Sequence, residues 1–269
     1  MEILINRKLK ELAKEKQVKI LFAVESGSRV WRLNSKDSDY DVRFVFTYPL
    51  ERYISINKSS DMINIHYDRE GNKMPQEGCF IDVCGFDIFK FSKMLSSSNP
   101  TVIEWLNSDI VYFGKKSKVW VDYANKQYKP ISLYFHYKSM CRQNYLKYVK
   151  SGNLVSYKKY LYAMRGLVNA KYMTLNFGLP PINFNETLTE IKRWEWGRTI
   201  KVIPDCMVHI LNQIIKLKRE GNEKDITKNI PLIDDYIESF LKDDDEAPDN
   251  KQLSTNKVLD EELKKVVLG

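Results

Sequence analysis

The feature that most constrains this 269-residue chain is a change of apolar period near Pro130. Upstream, short runs rich in Val, Ile, Phe and Tyr cover residues 18–24, 41–46, 62–67, 80–86 and 110–113. Runs that brief, bounded by turn-forming residues, predict buried strands. Ile3, Leu4, Leu9, Leu12 and Ala13 predict a helix ahead of them. Asp87 is the expected N-cap of a second helix, with Ile88, Phe91 and Leu95 on one face and Asn99-Pro100 ending it. Downstream the spacing becomes three-and-four. Leu133, Tyr137, Met140, Cys141, Asn144 and Tyr148 form one stripe, and Tyr157, Leu161, Met164, Val168 and Leu175 form another. Asp205 is the expected cap of a helix through Val208, Leu211 and Ile215, and Pro231 suits the first turn of one through Ile233, Ile237 and Leu241. Residues 242–251, with DDDEAPDN inside, read as a solvated acidic linker before a short helix over 258–267. The pattern therefore predicts an α/β domain over 1–128, an all-helical domain over 129–242, and an acidic linker with a short helix over 243–269.

Several classes are excluded. No apolar run approaches the ~20 residues that span a bilayer, and residues 1–19 interleave charge with Leu and Ile instead of forming a signal peptide. Cys79, Cys84, Cys141 and Cys206 show no CxxC pairing, and His66, His136 and His209 form no metal-binding pair. A cytoplasmic protein with reduced thiols and no membrane partner is expected. The net charge of +8 favours an anionic partner.

Two stretches carry chemistry. In the first, residues 25–43, an apolar strand runs into Gly27-Ser28-Arg29. Such a turn exposes backbone N–H groups and a hydroxyl to phosphate oxygens, and a helix starting there would add its positive end. Ten residues on come Asp39 and Asp41, two apart and so on one side of an extended strand. Carboxylates that close repel unless a proton or a divalent cation joins them, and Mg²⁺ is commonly held by one or two carboxylates plus substrate phosphates. The run Gly114-Lys115-Lys116-Ser117 is not a Walker loop, because Asp109 stands where the leading Gly belongs.

The pattern GSRxW…DSDYDVRF resembles the signature of the DNA-polymerase-β-type nucleotidyltransferases. In fuller wording it resembles their RNA-ligase-associated (RlaP-like, YcgL-like) branch. Residues 82–91, Ser98-Asn99-Pro100 with Glu104-Trp105-Leu106-Asn107-Ser108, and Lys159 to Arg165 with Pro180-Pro181 resemble further segments of that branch. The resemblance spans roughly residues 18–184. It implies a catalytic domain with a mixed twisted sheet over 1–128 and a helical substrate-binding domain after it. Asp39, Asp41 and a third Asp would bind two Mg²⁺ ions, with Mn²⁺ as the alternative. Asp82 matches the third position, and Asp87 is its competitor. Gly27, Ser28 and Arg29 would hold the phosphates of a nucleoside triphosphate. One departure stands out: the branch usually has Trp-Gly where this chain has Trp31-Arg32.

The second stretch, residues 131–181, holds eight Lys+Arg, eight Tyr and no Asp or Glu. Cations neutralise phosphates and rings stack on bases, so nucleotide or single-strand binding is expected, unless the tyrosines are core. Lys158 and Arg165, two turns apart, are the candidates for triphosphate contact. Arg142, Lys159 and Tyr160 are the candidates for the acceptor. Trp194 and Trp196 read as packing anchors. The expected activity is metal-dependent transfer of a nucleoside monophosphate to a hydroxyl, with an RNA end as the leading acceptor. The alternatives are a protein (including a toxin partner) or small-molecule acceptor, or a non-catalytic nucleic-acid-binding protein that keeps the fold.

Overall fold

Phe22, Ala23, Val24 and Glu25 are consecutive and all buried, so the strand that carries them is covered on both faces. The computed structural model describes residues 1–151, 155–221, 226–227, 229–243, 247–249 and 256–269. In chain order the elements are α1 (Glu2–Lys16), β1 (Lys19–Ser26), α2 (Gly27–Val30), β2 (Tyr40–Thr47), α3 (Leu50–Tyr53), β3 (Met62–Tyr67), β4 (Lys73–Met74), β5 (Ile81–Asp87), α4 (Ile88–Ser96), α5 (Pro100–Asn107), β6 (Val111–Gly114) and α6 (Lys118–Lys126). There follow α7 (Pro130–Asn144), a π-helical turn (Tyr145–Lys150), β7 (Val155–Ser156), α8 (Tyr157–Thr174), α9 (Phe184–Glu195), α10 (Asp205–Arg219), β8 (Ile226–Thr227), α11 (Pro231–Lys242) and α12 (Lys257–Leu268). Much of the anticipated acidic linker lies outside the described residues.

The chain forms two units. The first comprises Met1–Val30, Ser38–Tyr128 and Gln252–Gly269, and the second comprises Trp31–Asp37 and Lys129–Lys251. The first is built on a six-stranded mixed sheet ordered β4-β3-β5-β2-β1-β6. Its β2–β5 pair is parallel and the other pairs are antiparallel. Side chains alternate across a strand, so Val42, Phe44 and Phe46 of β2 share one face with Ile81 and Val83 of β5. That face packs against Ile5, Leu9 and Leu12 of α1. Phe22 instead meets Phe91 of α4 at 5.8 Å and Trp120 of α6 at 6.0 Å between ring centroids. Truncating so buried a ring to Ala costs about 3–5 kcal/mol. The final helix returns to this unit and packs on α4 and α6. It is tied there by Glu262 and Asn256, which accept hydrogen bonds from Ser117 (2.5 Å) and Tyr123 (3.0 Å).

In the second unit α8 is the most buried helix, with twelve buried positions. A Cβ on its Gly166 would stand 2.6 Å from the Cys141 nitrogen and 2.8 Å from the Tyr137 carbonyl, so glycine lets α7 lie against it. Two boundaries differ from expectation. Asn99 does not simply end a helix: its side chain accepts from Thr101 N at 2.9 Å and caps α5, with Pro100 at the first position. Asp205 is the first residue of α10 and not its cap, and it pairs with Lys192 at 2.5 Å. Among the described residues no helix is long and apolar enough to cross a membrane.

Candidate active site

On the sheet face opposite α1, Asp41 and Asp82 stand side by side, because β2 and β5 run parallel with these two residues in register. The same row continues to His66 on β3 and Ser26 on β1. Asp39 lies one residue ahead of β2, two residues from Asp41. Burial pushes the Cys79 thiol up, and the nearby charges of Asp82, Asp39 and Asp41 push it further against the pull of Arg43. The three acids therefore act on one neighbourhood.

Between Asp41 and Asp82 lies a cation that the sequence pattern did not flag. Arg43 Nη2 donates to Asp41 Oδ1 and to Asp82 Oδ2, both at 2.8 Å, and its Nη1 donates to the Asp82 carbonyl at 2.9 Å. Burial works against the guanidinium charge, but Asp41 and Asp82 outweigh it and hold Arg43 above its ordinary value. His66 Nδ1 is 3.0 Å from Asp82 Oδ1, an ion-pair distance without the alignment of a hydrogen bond. Among the described residues no three carboxylate, imidazole or thiol groups are spaced as a ready metal site. The arrangement nevertheless suits a cation, because one is already seated between the carboxylates.

Above the acids, β1 turns sharply at Gly27, whose φ is +64°. A Cβ here would fall 1.9 Å from Asp41 Oδ2, so only glycine lets the turn approach that carboxylate. Ser28 is buried beside it. The helix expected at this turn is a single four-residue turn, too short for peptide dipoles to accumulate. Arg29 braces the loop ahead of β2. It donates to the carbonyls of Asp39 (3.0 Å) and Ser38, and its guanidinium stacks 3.6 Å from the Tyr40 ring centroid.

Glu25 lies across the sheet from the acids, level with Val42, and is fully buried. Its Oε1 accepts from the Asp41 backbone N–H at 3.0 Å, and its Oε2 accepts from the Tyr112 hydroxyl at 2.5 Å. Burial raises its carboxyl to about 7 despite the opposing pull of those two hydrogen bonds. Ser108, the last residue of the Glu104–Ser108 stretch, donates to the Glu25 carbonyl at 2.7 Å. Asp87 occupies a different place: it caps α4 by accepting from Phe89 N at 2.9 Å and accepts from the Tyr53 hydroxyl at 2.6 Å.

The second unit contains the other candidates. Lys158, Tyr162 and Arg165 share one side of α8 with Trp31. The Arg165 guanidinium stacks 3.7 Å from the Trp31 ring, and the Lys158 ammonium lies 5.9 Å from the Tyr162 ring. Arg165 is buried in this stack. Tyr160, expected at the acceptor, is a core residue: its hydroxyl donates to Asp234 (3.0 Å) and accepts from Ile230 N (2.9 Å). Arg142 is exposed, and Lys159 sits 3.7 Å from the Tyr148 ring. Trp196 is no packing anchor. It caps the C-terminus of α9 and is 88% exposed, while neighbouring Glu195 is buried and accepts from Val202 N and Ile203 N.

Comparison with known proteins adds what geometry alone does not. A family model described as "RNA repair pathway DNA polymerase beta family" matches residues 1–267. The chain is 31% identical over 238 residues to the uncharacterized protein YcgL of Bacillus subtilis (strain 168), covering 87% of this chain and 83% of that one. A solved nucleotidyltransferase-like protein from Exiguobacterium sibiricum 255-15 aligns with 98% of this chain and 88% of its own, at 10% identity and a TM-score of 0.30.

Proposed function

This chain belongs to the RNA repair pathway DNA polymerase β family of nucleotidyltransferases, and on that premise we propose that it transfers a nucleoside monophosphate from a nucleoside triphosphate to a hydroxyl on an RNA end. The observation that carries the reading is the in-register pair Asp41 and Asp82, with the Gly27 turn packed directly against the Asp41 carboxylate and a cation already between the two acids. Nucleotidyltransferases of this kind generally use divalent metals. Asp39, Asp41 and Asp82 would hold Mg²⁺ or Mn²⁺, which when bound neutralises triphosphate charge and favours departure of pyrophosphate. The rest falls to the chain's own groups. Gly27 and Ser28 receive the phosphates, and Glu25 fixes the backbone of Asp41 from beneath. Asp82 takes the proton of the attacking hydroxyl at its Oδ1, the oxygen beside His66. The new bond joins that hydroxyl oxygen to the α-phosphorus, and the bond from α-phosphorus to the bridging oxygen breaks.

The test is to incubate purified protein with each labelled NTP, Mg²⁺ or Mn²⁺, and tRNA, oligonucleotide or protein acceptors. Label should reach RNA, and Asp39→Ala and Asp41→Ala should lower transfer by about 100-fold or more, the scale on which charged groups at a reacting phosphate act. Transfer by those variants at the wild-type rate refutes the assignment. A second reading, nucleic-acid binding without catalysis, is favoured by one observation: Arg43 already bridges the acid pair and offsets part of its charge. It predicts RNA binding indifferent to metal and NTP, and no transfer to any acceptor.

A further inference from the structure

Helix α7 is buried along Leu133, Tyr134, Tyr137, Lys138 and Cys141, and it exposes Phe135, Ser139, Arg142 and Gln143. The chain then passes into the π-helical turn. Its wider winding brings three consecutive residues, Leu146, Lys147 and Tyr148, to the surface between buried Tyr145 and Val149. The result is a broad exposed surface that carries two rings, Phe135 and Tyr148, and two cations, Arg142 and Lys147. Phe135 is 47% exposed, Leu146 43% and Tyr148 37%. A groove of about 550 Å³ runs along it, lined by Ser139, Arg142, Gln143, Leu146 and Lys147. The Tyr148 ring has Lys147 Nζ at 5.0 Å and Lys159 Nζ at 3.7 Å.

The charge on this face has one sign. Residues 131–181 contribute no carboxylate, and Glu238, which reaches the far end, is taken up by Lys150 (2.9 Å) and Tyr145 (3.0 Å). We infer that single-stranded RNA lies along this face, its phosphates on Arg142 and Lys147 and its bases against Phe135 and Tyr148. The chemistry selects that occupant. Cations attract a phosphate backbone, and exposed rings flanking them stack on unpaired bases, which a duplex does not offer. From residue 135 to 148 the helical rise is about 20 Å, room for several nucleotides. A lipid surface would require a continuous apolar stripe, and Ser139, Arg142, Gln143 and Lys147 interrupt this one. The inference rests on the proposed RNA acceptor and assigns where that acceptor is gripped.

The experiment is fluorescence anisotropy of the full chain with a labelled single-stranded 12-mer RNA, titrated with KCl. An Arg142→Gln/Lys147→Gln double variant should lower the slope of log affinity against log salt by about 1.4, the value for two lost phosphate contacts on a single strand. Tyr148→Ala should weaken binding about tenfold. All three side chains are exposed, so the variants should melt with the wild type and keep its Mn²⁺-dependent ATP binding in a thermal-shift assay. Wild-type affinity and slope in the variants would overturn the inference, as would wild-type binding to phosphatidylserine vesicles and not to RNA. Failure here is separable from failure of the catalytic reading. Protein that transfers label to RNA but ignores these substitutions keeps the chemistry and loses this face. Protein that binds RNA through this face but never transfers label keeps the face and loses the chemistry.

Discussion

Glu25 lends itself to a quantitative test by Glu25→Gln. The carboxyl is fully buried between the Asp41 N–H and the Tyr112 hydroxyl, and burial raises it from 4.5 to about 7. The folded state therefore holds this proton more tightly than the unfolded chain does. Below pH 4.5 both states are protonated and the full stability is present. Between 4.5 and 7 the unfolded chain gives up the proton while the fold retains it, so stability declines. Above about 7 the loss is complete. At 1.36 kcal/mol per pH unit that loss is about 3 kcal/mol. Glutamine keeps an acceptor for the Asp41 N–H and carries no titrating group, so the variant lacks this pH dependence. The assay is thermal and urea unfolding of both proteins in EDTA from pH 4.5 to 8. The variant's stability relative to wild type should climb by about 3 kcal/mol across that range, or on the order of 5–10 °C in melting temperature for a chain of this size. A difference that stays flat, or that moves the other way, refutes the claim that Glu25 is proton-loaded in the fold.

Gly27→Ala forces a Cβ against Asp41 Oδ2 at a left-handed residue. It should cost at least about 1–2 kcal/mol in urea unfolding and abolish transfer by displacing the carboxylate. Arg32→Gly should stabilise by about 0.5–1 kcal/mol in the same assay, because Arg32 sits at φ +59° while its carbonyl, which accepts from Arg219, is unchanged by the substitution. Arg43→Gln should raise Mn²⁺ affinity by about tenfold in calorimetry, since it removes a cation in direct contact with both acids. Unchanged affinity would show that Arg43 does not compete for that position.

Five strands of the main sheet were readable because each is a short apolar run broken by turn residues, whereas the two-residue β4, Lys73–Met74, carries no such run. Residues 62–67 are β3 to the residue. Helices α5, α6 and α9 went unread although each is amphipathic; the site contacts that escaped were decided by tertiary partners. Helix α6 over Lys118–Lys126 is short but amphipathic, with Trp120, Tyr123 and Ala124 buried, and its Trp120 packs against Phe22 and Phe91. At the site, the alternation Asp39, Asp41 was visible and also implied Arg43 on the same face, yet only the β2–β5 register reveals that Arg43 reaches Asp82. Glu25 carried a signal too, as a lone acid in an apolar strand. Its partner Tyr112 is 87 residues away, beyond any local pattern. The tyrosines of residues 131–181 divided along the helix face: Tyr134, Tyr137, Tyr145, Tyr160 and Tyr172 are buried, and Tyr148 is exposed. Position 32 adopts the left-handed backbone that glycine takes without strain, and nothing in the structure explains why Arg32 stands there.

The two units are interleaved along the chain, with Trp31–Asp37 counted in the helical unit and Gln252–Gly269 in the sheet unit. No single cut separates them. A truncation after Tyr128 would deprive the sheet unit of α12 and strand seven residues of the signature without the unit they pack in. The helical unit expressed from Lys129 would in turn lack Trp31, the ring on which Arg165 stacks. Such a chain is poorly suited to exchange its halves by recombination, and its two parts would have to be inherited, and diverge, together.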